Sequence, residues 1–201
     1  QAIRINNKYV AAYFSRALAY EGKRRYDLAI ADYGHVTRLQ PQNAAAWNSR
    51  CWTQAVVGHL QAALKDCNEA VKLKPDYINA LDSRGFVQLR MGKHDDAIAD
   101  YDAALKIEPG KVASLYGRGM AKRRKGEFVA GNADIAAARA LRPNVTAEFA
   151  RYGLLAPLTD SARSPEQNKA EGKVESKAEA KAEGKAAGGA ESPARGRKRH
   201  H

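Results

Sequence analysis

The chain has 201 residues, 44% of them hydrophobic and only 7% aromatic, and its 34 basic and 22 acidic side chains give a formal net charge of +12. No run approaches about 18 consecutive apolar residues, which excludes a membrane-spanning helix. Its two cysteines, Cys51 and Cys67, form neither a disulfide framework nor a metal-ligand pattern, and they leave the compartment open.

Internal periodicity organises the rest. Pro41, Pro75, Pro109 and Pro143 each lie 34 residues after the last. Two residues before each proline stands a large aliphatic (Leu39, Leu73, Ile107, Leu141), and five before it a small or branched residue (Val36, Ala70, Ala104, Ala138). Twelve before it comes Ala29, Ala63, Ala97 or Gly131, small enough for two helix backbones to approach closely.

With the proline counted as position 32, position 4 is large (Tyr13, Trp47, Leu81, Leu115) and position 8 is small (Ala17, Cys51, Gly85, Gly119), a four-residue spacing that marks one helix face. Gly58, Gly92 and Gly126 at position 15 end a first helix in a tight turn. Each period therefore predicts a helix-turn-helix pair.

In this pattern the chain resembles the tetratricopeptide repeat family over about residues 10–143; Ala97, Tyr101, Ala104 and Pro109 match it at every mark of the third repeat. The resemblance implies an all-α, right-handed superhelical solenoid that binds other proteins and carries no catalytic site. In chain order, residues 1–9 read as the end of a preceding repeat. Residues 10–43, 44–77, 78–111 and 112–145 are then four repeats, and 146–155 a short capping helix. Cys67 and Ile135 replace the family's aromatic residue, and Gly131 and Asn132 weaken the fourth repeat.

From residue 156 onward Ala, Gly, Ser, Pro, Glu and Lys dominate, too little apolar surface for a core. Like charges recur there at i,i+4, which opposes a helix, so 156–201 reads as a disordered tail. It holds 10 basic and 7 acidic residues, so +9 of the net charge lies before it. The closing Arg195, Arg197, Lys198, Arg199, His200 and His201 could touch nucleic acid or anionic lipid. A solvated, solubilising end is the plainer reading, because no aromatics are interleaved for base stacking.

Catalytic motifs are missing: there is no phosphate-cradling glycine loop, no His-Glu-x-x-His and no Gly-x-Ser-x-Gly. No cofactor is implied. Cys51 and Cys67 read as free thiols acting as small core hydrophobes at positions 8 and 24.

Two charges repeat strictly: Arg16, Arg50, Arg84 and Arg118 at position 7, and Asp32, Asp66, Asp100 and Asp134 at position 23. The offset of 16 residues puts one on each helix of a hairpin, which predicts an ion pair in every repeat.

The family resemblance further implies a concave face lined by positions 2, 5, 9 and 12 of the first helices. Here these supply a peptide-binding set: Phe14, Leu18, Asn48, Trp52, Asn79, Asp82, Phe86, Leu89, Tyr116, Met120 and Arg123. An apolar stripe at position 9 suits a partner peptide. The family branch that grips chaperone C-terminal carboxylates uses Lys and Asn where this chain has Phe14 and Leu18, so that clamp is not carried over. A scaffold or adaptor is the reading that results. The alternatives are an accessory domain of a longer protein and a nucleic-acid-associated protein acting through its basic surface.

Overall fold

The computed structural model describes residues 7–153. The expected end of a preceding repeat before residue 7 and the tail from residue 156 lie outside the described residues.

Nine α-helices follow one another among the described residues: α1 (Asn7–Gly22), α2 (Tyr26–Leu39), α3 (Ala44–Val56), α4 (Leu60–Leu73), α5 (Ile78–Arg90), α6 (His94–Ile107), α7 (Val112–Arg124), α8 (Phe128–Leu141) and α9 (Val145–Ala150). The first eight pack as four consecutive hairpins, each also touching the next. The result is an all-α solenoid. None of these helices is long and apolar enough to cross a membrane.

The register of the sequence explains the turns. Gly58, Gly92 and Gly126 take φ of +90°, +76° and +87°, the left-handed conformation that closes a first helix without a Cβ clash. The first repeat has Arg24 at this position, and it adopts φ +57° with the side-chain penalty intact. Each second helix ends with the same bond: the N–H groups of Gln40, Lys74, Glu108 and Arg142 donate to the carbonyls of Val36, Ala70, Ala104 and Ala138. The proline that follows each of these four donors cannot extend the helix.

Inside each hairpin, positions 8 and 24 face each other, and the four repeats fill that contact in four ways. Ala17 lies opposite Tyr33, Gly85 opposite the ring of Tyr101, and Gly119 opposite Ile135; a Cβ on Gly85 would stand 3.0 Å from the Tyr101 ring, and one on Gly119 2.7 Å from the Gly131 carbonyl. In the second repeat the contact is covalent. Cys51 and Cys67 are joined by a disulfide with their Cα atoms 5.4 Å apart, and both are fully buried. They are therefore not the free thiols expected from sequence. Read singly, each fits a small core residue; only the hairpin sets one against the other.

Candidate functional site

The hairpin interiors are tied by bidentate Arg–carboxylate bonds. Arg16, Arg50, Arg84 and Arg118 each donate from Nε and Nη2 to the two carboxylate oxygens of Asp32, Asp66, Asp100 and Asp134, at 2.6 to 2.8 Å. Three of them also reach back to the preceding repeat through Nη1: Arg50 to Thr37, Arg84 to Asn68 and Arg118 to Asp102. Those three are about one-fifth exposed, whereas the Arg16 side chain is 53% exposed. The Asp100 bond raises the Arg84 guanidinium above its ordinary value. Burial pushes the Asp134 carboxyl up, but hydrogen bonds from Arg118 and Lys122 outweigh it and hold the group below the usual carboxylate range.

The expected peptide-binding set is less regular. Phe14 packs edge-on against Tyr33 with centroids 5.4 Å apart, and Leu18 is half exposed. Trp52 of α3 and Phe86 of α5 lie with ring centroids 5.0 Å apart, and Tyr152, two residues beyond α9, meets both edge-on at 4.9 and 6.3 Å. Phe149 of α9 covers Tyr116 at 4.6 Å. The apolar concave set is thus not open along its length. Phe86, Leu89, Tyr116 and Met120 are buried, Trp52 is partly buried, and at position 9 only Leu18 is exposed.

The polar members of the expected set are scattered. Asn48 is buried and its Oδ1 has no hydrogen-bond partner. Asn79 is exposed and accepts from Lys111 Nζ at 3.3 Å; Arg123 donates to Asn132 Oδ1 at 2.7 Å. The Asp82 carboxylate accepts a bond from Ser114 Oγ. Desolvation pushes its carboxyl up to about 6, against the opposing pull of the Ser114 bond and of Lys111.

Trp52, Asp82 and Phe86 come together with Ser83, Tyr101 and Tyr152 around a cavity of about 400 Å³. Arg142, Glu148 and Arg151 also line it, and Arg142 donates to Glu148 at 3.1 Å. Tyr101 is 1% exposed and its hydroxyl has no hydrogen-bond partner. Burial raises that phenol well above its ordinary value. The sequence reading missed Tyr152, Ser114 and Glu148 as parts of this face. Phe149 carried a signal, since it falls at position 4 of a would-be fifth repeat; Tyr152 lies beyond the last helix and carried none. No group of three or more His, Cys, Asp or Glu able to hold a metal occurs among the described residues.

Residues 9–78 and 85–146 match the tetratricopeptide repeat family model. The chain belongs to the tetratricopeptide repeat family. No curated protein matches it significantly. Among solved structures, a crystal structure of the MamA protein aligns with a TM-score of 0.60 at 23% identity, covering 67% of this chain and 74% of that one. The Thermus thermophilus tetratricopeptide repeat protein TTC0263 aligns with a TM-score of 0.62 at 18% identity, covering 67% and 75%. The second such domain of human RPAP3, in complex with an HSP70 peptide, aligns at 0.56 and 23% identity, covering 58% and 97%. At these identities the likeness shows the tetratricopeptide fold alone.

Proposed function

We propose that this chain is a noncatalytic adaptor that holds a segment of a partner protein in its concave groove. The supporting observation is the cavity of about 400 Å³ on that face, walled by the rings of Trp52, Phe86 and Tyr152 and floored by polar groups. Clefts of this size, mostly apolar with a few convergent polar atoms, fix a ligand's orientation while apolar contact supplies affinity. The expected peptide-binding residues form part of this reading at Trp52, Asp82 and Phe86, while Phe14 and Leu18 offer a second, open contact at the first repeat. A chaperone C-terminal carboxylate is not the ligand this groove favours, although the human RPAP3 domain is complexed with an HSP70 peptide. Phe14 and Leu18 supply no cation, and Asp82 would face the incoming carboxylate with like charge.

Affinity capture with the full chain tests the proposal. A partner held by the wild type and by Lys65→Ala on the exposed side of α4, but lost with a folded Trp52→Ala variant, supports the groove. Equal capture by Trp52→Ala would sink it and turn attention to the outer surfaces.

A further inference from the structure

The four buried carboxylates of the hairpins are matched by a cation, and the partly buried Glu21 accepts two hydroxyl bonds, from Tyr33 and Thr53. Asp32, Asp66, Asp100 and Asp134 each take two bonds from an arginine. Among the described residues Asp82 has no cation bonded to it: its one hydrogen bond there comes from a neutral hydroxyl, Ser114 Oγ. Lys111, the cation whose field reaches Asp82, is engaged instead with Asn79 at 3.3 Å and Glu108 at 4.0 Å. A carboxylate withdrawn from water without a counter-charge costs free energy, and burial has pushed this one up to about 6.

The cost falls at the cavity. Asp82 lines it together with Tyr101, whose hydroxyl is buried and unpartnered, and with three aromatic rings. An unmatched acceptor, an orphan hydroxyl and ring faces call for one kind of guest, with several N–H donors, a positive charge and an apolar stem.

We propose that this cavity binds the side chain of a lysine or arginine carried by a partner peptide. The inference rests on the groove reading above and names the chemistry of its ligand. The charged head supplies N–H bonds to the Asp82 carboxylate and to the Tyr101 hydroxyl oxygen, and the methylene stem lies along Trp52 and Phe86. Glu148 does not compete for the head, since Arg142 holds it. Arg151, exposed at the rim, is the local repulsive element. The site runs against the chain's net positive charge, so it selects by contact and not by long-range attraction. Screening by salt leaves such a contact largely intact where it is buried.

The test is selection of a random dodecapeptide display library on the full chain at pH 7.5, alongside Asp82→Asn and Trp52→Ala, each checked for folding by circular dichroism. Asp82→Asn keeps the side-chain size and an oxygen for Ser114, so it removes the charge alone. Enriched peptides should carry Lys or Arg at one fixed position. A representative peptide should bind at least ~10-fold more weakly to Asp82→Asn, and equally so when its basic residue is replaced by norleucine; about 1.4 kcal/mol corresponds to each factor of ten. Arg151→Ala should bind it more tightly. Selection of peptides without a fixed basic residue, equal binding by Asp82→Asn, or no selection at all would each overturn the cationic site. If Trp52→Ala still loses the selected peptides in the first two cases, the groove reading survives; if Trp52→Ala binds them as well as the wild type, that reading falls too.

Discussion

The hairpin interiors and the concave face are built from the same 34-residue unit, yet one repeats and the other does not. Between the two helices of every hairpin the same Arg–Asp bond recurs, beside a contact that is buried in all four repeats although each fills it differently. Along the concave face, position 9 runs from an exposed Leu18 through Trp52 and Phe86 to a buried Met120, and the segment after the last repeat folds over Trp52, Phe86 and Tyr116. Regular contacts hold a solenoid together because each repeat has only its neighbours to lean on. Irregular ones are free to specify a ligand. Asp82 is where the two regimes meet, a carboxylate outside the Arg–Asp lattice.

The sharpest way to break the lattice is to remove one guanidinium. Arg84→Ala leaves Asp100 buried without its partner and also severs the link to Asn68, so it should cost about 3 kcal/mol in chemical denaturation of the full chain. Arg16→Ala should cost less, because removing a side chain that is 53% exposed opens Asp32 to water and breaks no reach-back bond among the described residues. Equal losses at the two sites would mean that the lattice is not graded by burial.

Opening the Cys51–Cys67 bond should cost slightly less. The bond links residues 16 apart, and constraining a loop of that length in the unfolded chain contributes roughly 2–3 kcal/mol. Parallel melts with and without reductant measure it. An unchanged midpoint, with reduction verified by thiol counting, would show that the two thiols pack as well apart as joined.

Asp82→Asn should move stability the other way. A carboxyl whose folded pKa is raised favours the protonated form in the folded state, so its penalty is fully present at pH 7.5 and disappears as pH falls through about 6 towards 3.8. The variant should be more stable than the wild type by about 2 kcal/mol at pH 7.5 and nearly equal to it at pH 4. Lys111 and Glu108 act on Asp82 with opposite signs, and Tyr101, Arg142, Glu148 and Arg151 line the same cavity, so the comparison is made as the difference between variant and wild type at each pH. Asp134 has the opposite sign: held low by Arg118 and Lys122, it contributes stability that is lost as pH falls through its depressed folded pKa. A variant–wild-type gap independent of pH would remove desolvation of Asp82 as the cause.

The smallest effect lies in the turns. Arg24→Gly relieves the left-handed φ that the other three repeats give to glycine, and should raise stability by about 0.5 kcal/mol, the relief being partly offset by the freer unfolded chain. A loss of stability there would mean that the Arg24 side chain makes a contact worth more than the backbone strain.

Repeat length, helix pairing and family were legible in the sequence because they depend on residues close in the chain and repeated in phase. The offset of 16 residues that sets Arg50 on Asp66 also sets Cys51 on Cys67, one residue further along each helix. That signal was present, but it becomes visible only when the two cysteines are read as a pair in register and not as two core positions. The concave site was legible only in part. Position numbering reached Trp52, Asp82 and Phe86, but it could not separate them from Leu89 and Met120, which are fully buried and do not line the cavity.

The sequence by itself determined the solenoid, because a 34-residue period of small, aromatic and turn-forming residues has one economical way to bury its apolar faces. Only the tertiary structure decided which of the expected binding residues meet, that Asp82 is bonded to a neutral hydroxyl, and where Tyr152 lands. Those outcomes depend on side chains several repeats apart and on a segment outside the period, and no local pattern encodes the distance between them.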